Sequence, residues 1–278
     1  MGKRLRVLIL SNRDPTSSTI FRAICEDPRL AITGIAFTTT LTRCKGFWRG
    51  VWHIFRRSGL RYFIYLLFWN GIFSAKEWLI WYLPFLRHIF RYFFSLKLWA
   101  RENDSEILFS EDFNSSEFLA GVTKHQPDLI LTRVNQILKG PILNSATFGC
   151  WCFHSSELPS YQGIAAEFHS MLNGEKKIGF TVMQMEAKLD AGPIIAQASA
   201  PIPEGVTLHG LIKYNNTFAH EVIRKAMEDL FAGCMKYSLQ DLSRKTYFSW
   251  PTPDETRVFG QKGLHFISFR EMLSYLFE

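Results

Sequence analysis

Short unbroken apolar runs alternate along this chain with stretches of mixed polarity. The first run, LRVLIL at 5–10, is too continuous to alternate and too short for a helix, which predicts a strand covered on both faces. A polar loop, SNRDPTSST, a helical segment to about Glu26 and a second strand, AITGIAFTT, follow. Strand, loop, helix and strand in this order predict a βα unit opening a parallel sheet. A helix at 115–124 then leads into the strand PDLILTR (127–133), and FGCWCFH (148–154) gives the next. IAAEFHSMLN (164–173) suits a helix closed by Gly174, while GFTVMQME (179–186) and PIIAQASAPI (193–202) alternate as strands do. Thr207 is placed to cap a long helix to about Phe231. The last forty residues, with TYFSWPTPDET and GLHFISF, read as a small strand-and-turn appendage. The pattern predicts an open, mostly parallel α/β domain over residues 1–231 and a small C-terminal extension over 232–278.

Residues 42–101 interrupt this pattern. The 53 residues from Phe47 to Trp99 hold 19 aromatics, and the longest stretch without a charge is the 14 residues Tyr62 to Ala75. That is short of the ~20 apolar residues a spanning helix needs. Lys76 and Glu77 end the stretch, and Pro84 breaks the helical pattern beyond them. The expectation is an insertion of two or three helices, aromatic on one side and basic on the other. Such a surface suits an anionic membrane interface. It equally suits packing on the core or on a second subunit, and more weakly base stacking on nucleic acid.

Charge sharpens this picture. The insertion carries eleven Lys or Arg and one acid, Glu77, a net +10 against +7 for the whole chain, which leaves −3 elsewhere. Arguments from the basic composition therefore concern one segment. Five cysteines without a repeated spacing predict no disulfide framework and a reducing, cytoplasmic setting, peripheral to a membrane if the insertion meets one. The opening MGKRLRVLILSN has basic residues before an apolar run, but VLIL is too short for a signal-peptide core and reads as a strand. Position 6 is Arg rather than the Ser or Thr of a myristoylation signal.

Candidate chemistry gathers at strand ends. His154 closes a strand, and side chains at the C-terminal ends of strands in an open sheet line its crevice. Asp190, in MEAKLDAGPII, lies just beyond another strand. It either caps the Asp-Ala-Gly turn or meets His154 across the strand ends and orients the imidazole for proton transfer.

The segment GCWCFHSSELPSYQG (149–163), the helix after it, GFTVMQM (179–185) and LDAGPII (189–195) together resemble the formyltransferases. That family includes the methionyl-tRNA, glycinamide ribonucleotide and sugar N-formyltransferases. Its pattern runs G-x-x-N-x-H-P-S-L-L-P-x-Y-x-G, a helix, G-x-T-x-x-x-M/V and L-D-x-G-x-I/V. The match extends from about Pro127 to Gln197, with the first strand also fitting. The resemblance implies a Rossmann-like fold, 10-formyltetrahydrofolate as cosubstrate, no metal, and transfer of its formyl group to an amine. It places the catalytic His and Asp of the family on His154 and Asp190, and the catalytic Asn on Cys152. In the family His and Asn donate hydrogen bonds to a developing oxyanion while Asp polarises the His. A thiol is a weak donor, and losing one oxyanion donor typically costs ~10²–10³ in rate. Cys152 thus leaves three readings: a compensating donor elsewhere, a thiolate that carries the formyl group itself, or a weakened site. A fourth is that the cysteine is a buried filler.

The loop departs from the pattern at Ser155-Ser156-Glu157, yet Ser156, Pro159, Tyr161 and Gly163 are kept, so its path is expected to persist. Glu157 either attracts an amine or faces water. In LTRVNQIL, Val134 and Asn135 fall where the family's main chain meets the pterin edge of folate. Arg133 is unusual there and either reaches an anionic group of substrate or forms a surface ion pair. The acceptor is expected to be a small amine, foremost an amino sugar linked to a nucleotide or a lipid. YFSWPTPDET resembles a stretch of tRNA and sugar formyltransferases, but fewer than fifty residues follow Phe231, which disfavours tRNA. The competing expectations are a 10-formyltetrahydrofolate hydrolase and a weakly catalytic membrane or assembly protein.

Overall fold

The unbroken apolar run at the start is explained by its neighbours. β1 (Leu5–Ser11) lies between β2 (Leu30–Thr38) and β4 (Leu129–Arg133), parallel to both, with Val7 to Leu10 wholly buried. The computed structural model describes residues 4–40 and 47–277. Its main sheet has seven strands in the order β3-β2-β1-β4-β5-β7-β8, where β3 is Glu106–Ser110, β5 Cys150–His154, β7 Lys177–Gln184 and β8 Ile194–Pro201. β7 runs antiparallel to both β5 and β8, and the other pairings are parallel. This is an open, mostly parallel, Rossmann-like sheet.

Helices follow from their caps. Asp14 accepts the Ser17 amide at 2.7 Å and Pro15 fills the first turn of α1 (Pro15–Cys25). α2 (Phe47–Tyr82) and α3 (Leu96–Glu102) make up the insertion, and α4 (Ser116–His125) and α5 (Gly140–Leu143) flank β4. β6 (Gln162–Gly163) and α6 (Ala166–Leu172) separate β5 from β7, and Thr207 caps α7 (Leu208–Phe231) as expected. Ile20, Phe21 and Ile24 of α1 and Ala219, Ile223 and Met227 of α7 close one face of the sheet over Phe153 and Phe180.

The chain leaves β1 for β2 and β3, then returns to lay β4 on the other side of β1. Loops after β1 and β4 therefore diverge, and the C-terminal strand ends open a crevice at this reversal. The two loops are tied together: the Asn12 amide donates to the Arg133 carbonyl at 2.9 Å, and the Asn135 amide donates to Asn12 Oδ1 at 3.3 Å.

Two expectations need correction. The C-terminal segment is mainly helical, with α8 (Pro253–Gln261) and α9 (Phe269–Phe277) after the two-residue strand β9 (Tyr247–Phe248). Thr252 and Glu255 form a reciprocal capping box with Pro253 at the first position, which starts α8 inside what reads as turn sequence. The insertion is also not aromatic on one side alone. Tyr62, Tyr65 and Trp69 face inward onto Phe168, Phe259 and Phe266, and Phe73 and Ile80 pack with Phe93 and Leu98. Trp52, Trp78, Tyr82 and Tyr92 face outward, off that stripe. Arg49, Arg56, Arg57, Arg61 and Arg91 reach solvent, whereas Arg87 donates to the Phe93 carbonyl at 2.6 Å and pairs with Glu102.

Both charges that interrupt the apolar stretch turn inward. Buried Lys76 donates to the Tyr275 carbonyl at 2.5 Å and lies over the rings of Phe90, Phe93 and Tyr275. Buried Glu77 accepts from Arg13 Nε at 3.0 Å and from Ser95 Oγ at 2.5 Å, joining the insertion to the loop after β1.

A break at Gly59 divides α2. Its φ of 72° and ψ of 171° belong to a region that only glycine occupies readily, and an added Cβ would lie 3.2 Å from Pro253 Cβ. Gly59→Ala should therefore lower stability by ~1–3 kcal/mol in urea titration. Gly71→Ala, helical with open space around it, should be neutral or stabilise by up to ~1 kcal/mol. Equal midpoints for both variants would contradict the break.

Candidate active site

Register sets the first layer of the site. Thr132 of β4, Cys152 of β5 and Met183 of β7 lie abreast, and His154, two residues beyond Cys152, pairs with Thr181. His154 Nε2 lies 2.9 Å from the carbonyl oxygen of Tyr161. A carbonyl only accepts, so Nε2 carries the proton, and Nδ1 is the acceptor of the neutral ring.

The loop after β5 is built to present that carbonyl. Ser156, buried, donates to the Ser160 carbonyl at 2.8 Å and to the Tyr161 carbonyl at 3.3 Å. Thr181 Oγ1 donates to the Ser156 carbonyl at 2.7 Å and accepts from the Leu158 amide and from Gln197. Tyr161 has a left-handed φ of 58°, stacks on Phe248 and donates its hydroxyl to Glu175 at 2.7 Å. Gly163, at φ 96°, pairs with β9 so closely that a Cβ would sit 2.1 Å from the Phe248 carbonyl oxygen. Glycine is required there. Gly179 has a similar reason, since its Cβ would lie 2.5 Å from the backbone of Glu157. The Glu157 side chain is exposed.

Asp190 grips the other end of the same turn. Its Oδ2 accepts the Gly163 amide at 2.8 Å, and its carbonyl accepts from Gln162 at 2.8 Å and Gln240 at 3.1 Å. No direct hydrogen bond or ion pair joins His154 to Asp190 among the described residues. Both side chains reach one turn, His154 donating into the Tyr161 carbonyl and Asp190 accepting from the Gly163 amide.

The Asp190 carboxylate also acts on Cys152. Burial first, and then that carboxylate, push the thiol up to about 12, outweighing Thr132, Arg133 and the Phe153 backbone, which act the other way. At pH 7 on the order of one such thiol in 10⁵ is ionised. A thiolate carrier needs a lowered pKa, and this environment acts in the opposite direction.

Arg133 ends β4 beside Cys152. Its Nη1 lies 3.5 Å from the Phe153 carbonyl, a weak contact, and its Nε is buried without a hydrogen-bond partner among the described residues. It makes no ion pair among them, unlike one of its two expected roles. Val134 packs into the Leu8, Leu10 and Phe118 cluster, and Asn135 is fixed to Asn12 through its amide. Thr181, Gln162 and Gln240 went unrecognised in the sequence. Thr181 and Gln162 stand inside the quoted motifs, whereas Gln240 lies outside them and carries no local signal.

With this geometry in place, the likenesses fall into order. Residues 99–227 match the sequence profile of the formyl transferase family. The methionyl-tRNA formyltransferase of Lysinibacillus sphaericus is 30% identical over 182 residues, 61% of this chain and 58% of that protein. The chain thus spans a little over half the length of the curated relatives it matches. The phosphoribosylglycinamide formyltransferase of Anaplasma phagocytophilum superposes with a TM-score of 0.56 at 18% identity, over 89% of this chain and 99% of that one. The N-formyltransferase of Helicobacter canadensis, solved with folinic acid and dTDP-3-aminofucose, gives 0.51 at 14%, over 87% and 70%. The chain thus shares its fold with these solved formyltransferases.

Two measurements check the thiol. Iodoacetamide at pH 8 should modify exposed Cys234 and spare Cys152 in peptide mass spectrometry; comparable labelling of both would point to a depressed pKa. The unfolded thiol loses its proton above about pH 8.5, whereas the folded one holds it to about 12. Across that window the unfolded state binds fewer protons, so stability should fall as pH rises. Urea midpoints should decline above pH 8.5, less steeply in Cys152→Ala.

Proposed function

We propose that this protein transfers the formyl group of 10-formyltetrahydrofolate to the primary amine of a small acceptor, foremost an amino sugar linked to a nucleotide or a lipid. The observation that carries the reading is the single turn, 161–163, onto which the family motifs bring His154 and Asp190 at the C-terminal end of β5, with Cys152 beside them. The fold it shares with formyltransferases, one of them holding folinic acid, supports folate as cosubstrate. The four free cysteines of the described residues suit a reducing compartment and hence the cytoplasm. Excess positive charge is confined to the insertion, which favours a small acceptor over tRNA.

In this reading the amine nitrogen attacks the formyl carbon, the carbonyl oxygen becomes an oxyanion, and the bond to the folate nitrogen breaks. The attacking amine gives up a proton to His154 Nδ1, and the folate nitrogen regains one as tetrahydrofolate leaves. Asp190 is a positioning residue: it holds the Gly163 amide and so the turn whose carbonyl sets the imidazole. Cys152 occupies the place of the family's Asn, and its neutral thiol donates poorly. Arg133 compensates. Its half-buried side chain has a buried Nε–H without a partner among the described residues, close to Cys152, and a fixed cation where negative charge develops is a strong form of such stabilisation.

The test incubates purified protein with 10-formyltetrahydrofolate and a panel of amino sugars and follows tetrahydrofolate release. Amine-dependent release is expected. Release without any amine would make the protein a hydrolase, and failure to bind the donor would overturn the reading. His154→Asn should lower turnover by ~10²–10⁴ and Arg133→Met by ~10²–10³. Cys152→Asn should raise turnover and should restore part of the activity that Arg133→Met removes; without that rescue, Arg133 is not the compensating donor.

A further inference from the structure

The second half of α2 has two apolar stripes, and the core uses one. Tyr62, Tyr65, Trp69, Phe73 and Ile80 are buried. On the opposite side Leu60, Ile64, Leu67, Trp78 and Tyr82 recur at helical spacing, with small Gly71 and Ala75 between, and the five large side chains are each more than half exposed. The outer stripe continues beyond the helix through Phe85, Ile89 and Tyr92, also more than half exposed. A helix facing water places charge at such positions.

The exposed charges of the insertion itself have one sign, while Asp254 on α8 lies beyond the break at Gly59. Arg49, Arg56, Arg57, Arg61 and Arg91 are exposed, while Glu77, the one acid between residues 42 and 101, is buried against Arg13 and Ser95. A groove of about 510 Å³ opens beside the stripe, lined by Arg61, Ile64, Phe68, Leu264, Phe266 and Met272. It offers an apolar slot with a guanidinium among its walls. No helix among the described residues is long and apolar enough to cross a membrane.

We infer that this face docks on an anionic lipid bilayer, with α2 lying in the interface rather than crossing it. Trp and Tyr rings sit at headgroup depth, aliphatic side chains reach the acyl boundary, and arginines extend toward lipid phosphates. A second copy is a poorer occupant. A two-fold contact sets the patch against itself, bringing two sets of five exposed arginines together without an acid between them, and the rest of the chain holds a net charge of only −3. The inference rests on the insertion alone and is independent of the proposed reaction.

The experiment is co-sedimentation of the full protein with phosphatidylcholine vesicles and with vesicles of phosphatidylcholine and phosphatidylglycerol, at low and high salt. Binding is expected to the anionic vesicles and to weaken with salt. Arg56→Gln/Arg57→Gln should weaken it roughly 25-fold, about fivefold for each charge removed. Ile64→Glu/Trp78→Glu should weaken it more than about tenfold. All four positions are exposed, so thermal midpoints matching the parent protein identify the losses as local. Absence of vesicle binding overturns the inference, as does binding indifferent to lipid charge or to both variants. A dimer seen by light scattering and dissolved by Ile64→Glu overturns it in favour of a second copy.

Discussion

Two backbone groups, the carbonyl of Tyr161 and the amide of Gly163, fix both ionisable side chains of the candidate site. His154 donates into the first and Asp190 accepts from the second, so neither can be placed without the turn between them. That turn is unfavourable by itself at Tyr161, a non-glycine residue at positive φ. It is held from every side: by Ser156 and Thr181 from beneath, by Gln162 and Gln240 on Asp190, and by the stacked ring of Phe248. Ordered donors set before the reaction are the condition for electrostatic stabilisation of charge that appears only in the transition state. A rigid turn supplies that order even where the side chains belong to different strands.

The environment of Cys152 belongs to the same frame. An exposed thiol next to a cation would ionise readily. Here burial of the sulfur and the Asp190 carboxylate both push the thiol's pKa up, which favours the protonated form. Beside it the Nε of Arg133 is buried without a hydrogen-bond partner among the described residues, a desolvation that costs free energy.

Much of the sheet was legible because its signals are local. The buried runs at Leu5–Ser11 and Leu129–Arg133, the Thr207 cap and the alternation in β7 and β8 each state their element within a few residues. β3 was missed because an edge strand with one neighbour needs only a brief apolar stretch, here ILF within EILFS. The site was legible as far as its motif reached: His154, Asp190 and the loop were found, but their connection through the turn was not. It depends on left-handed residues and on Gln240, which no spacing announces. The insertion resisted for a different reason. With apolar residues on two faces of α2, periodicity reveals helix but not which stripe meets the core; that choice is made by Phe168, Phe259 and Phe266, far away in sequence.

The pairing of β6 with β9 also has a bearing on when the site comes into being. Thr246 Oγ1 takes the Tyr161 amide at 2.8 Å, the Thr246 carbonyl takes the Gln162 amide, and the Phe248 carbonyl takes the Ile164 amide. The backbone around this turn is thus completed by a strand 85 positions later in the chain. A nascent chain emerging from a ribosome has its whole seven-stranded sheet before it has this strand. During synthesis the strands of the sheet emerge first, and the turn lacks its last partners until residues 246–248 are free, so the candidate site is completed only after the scaffold that carries it.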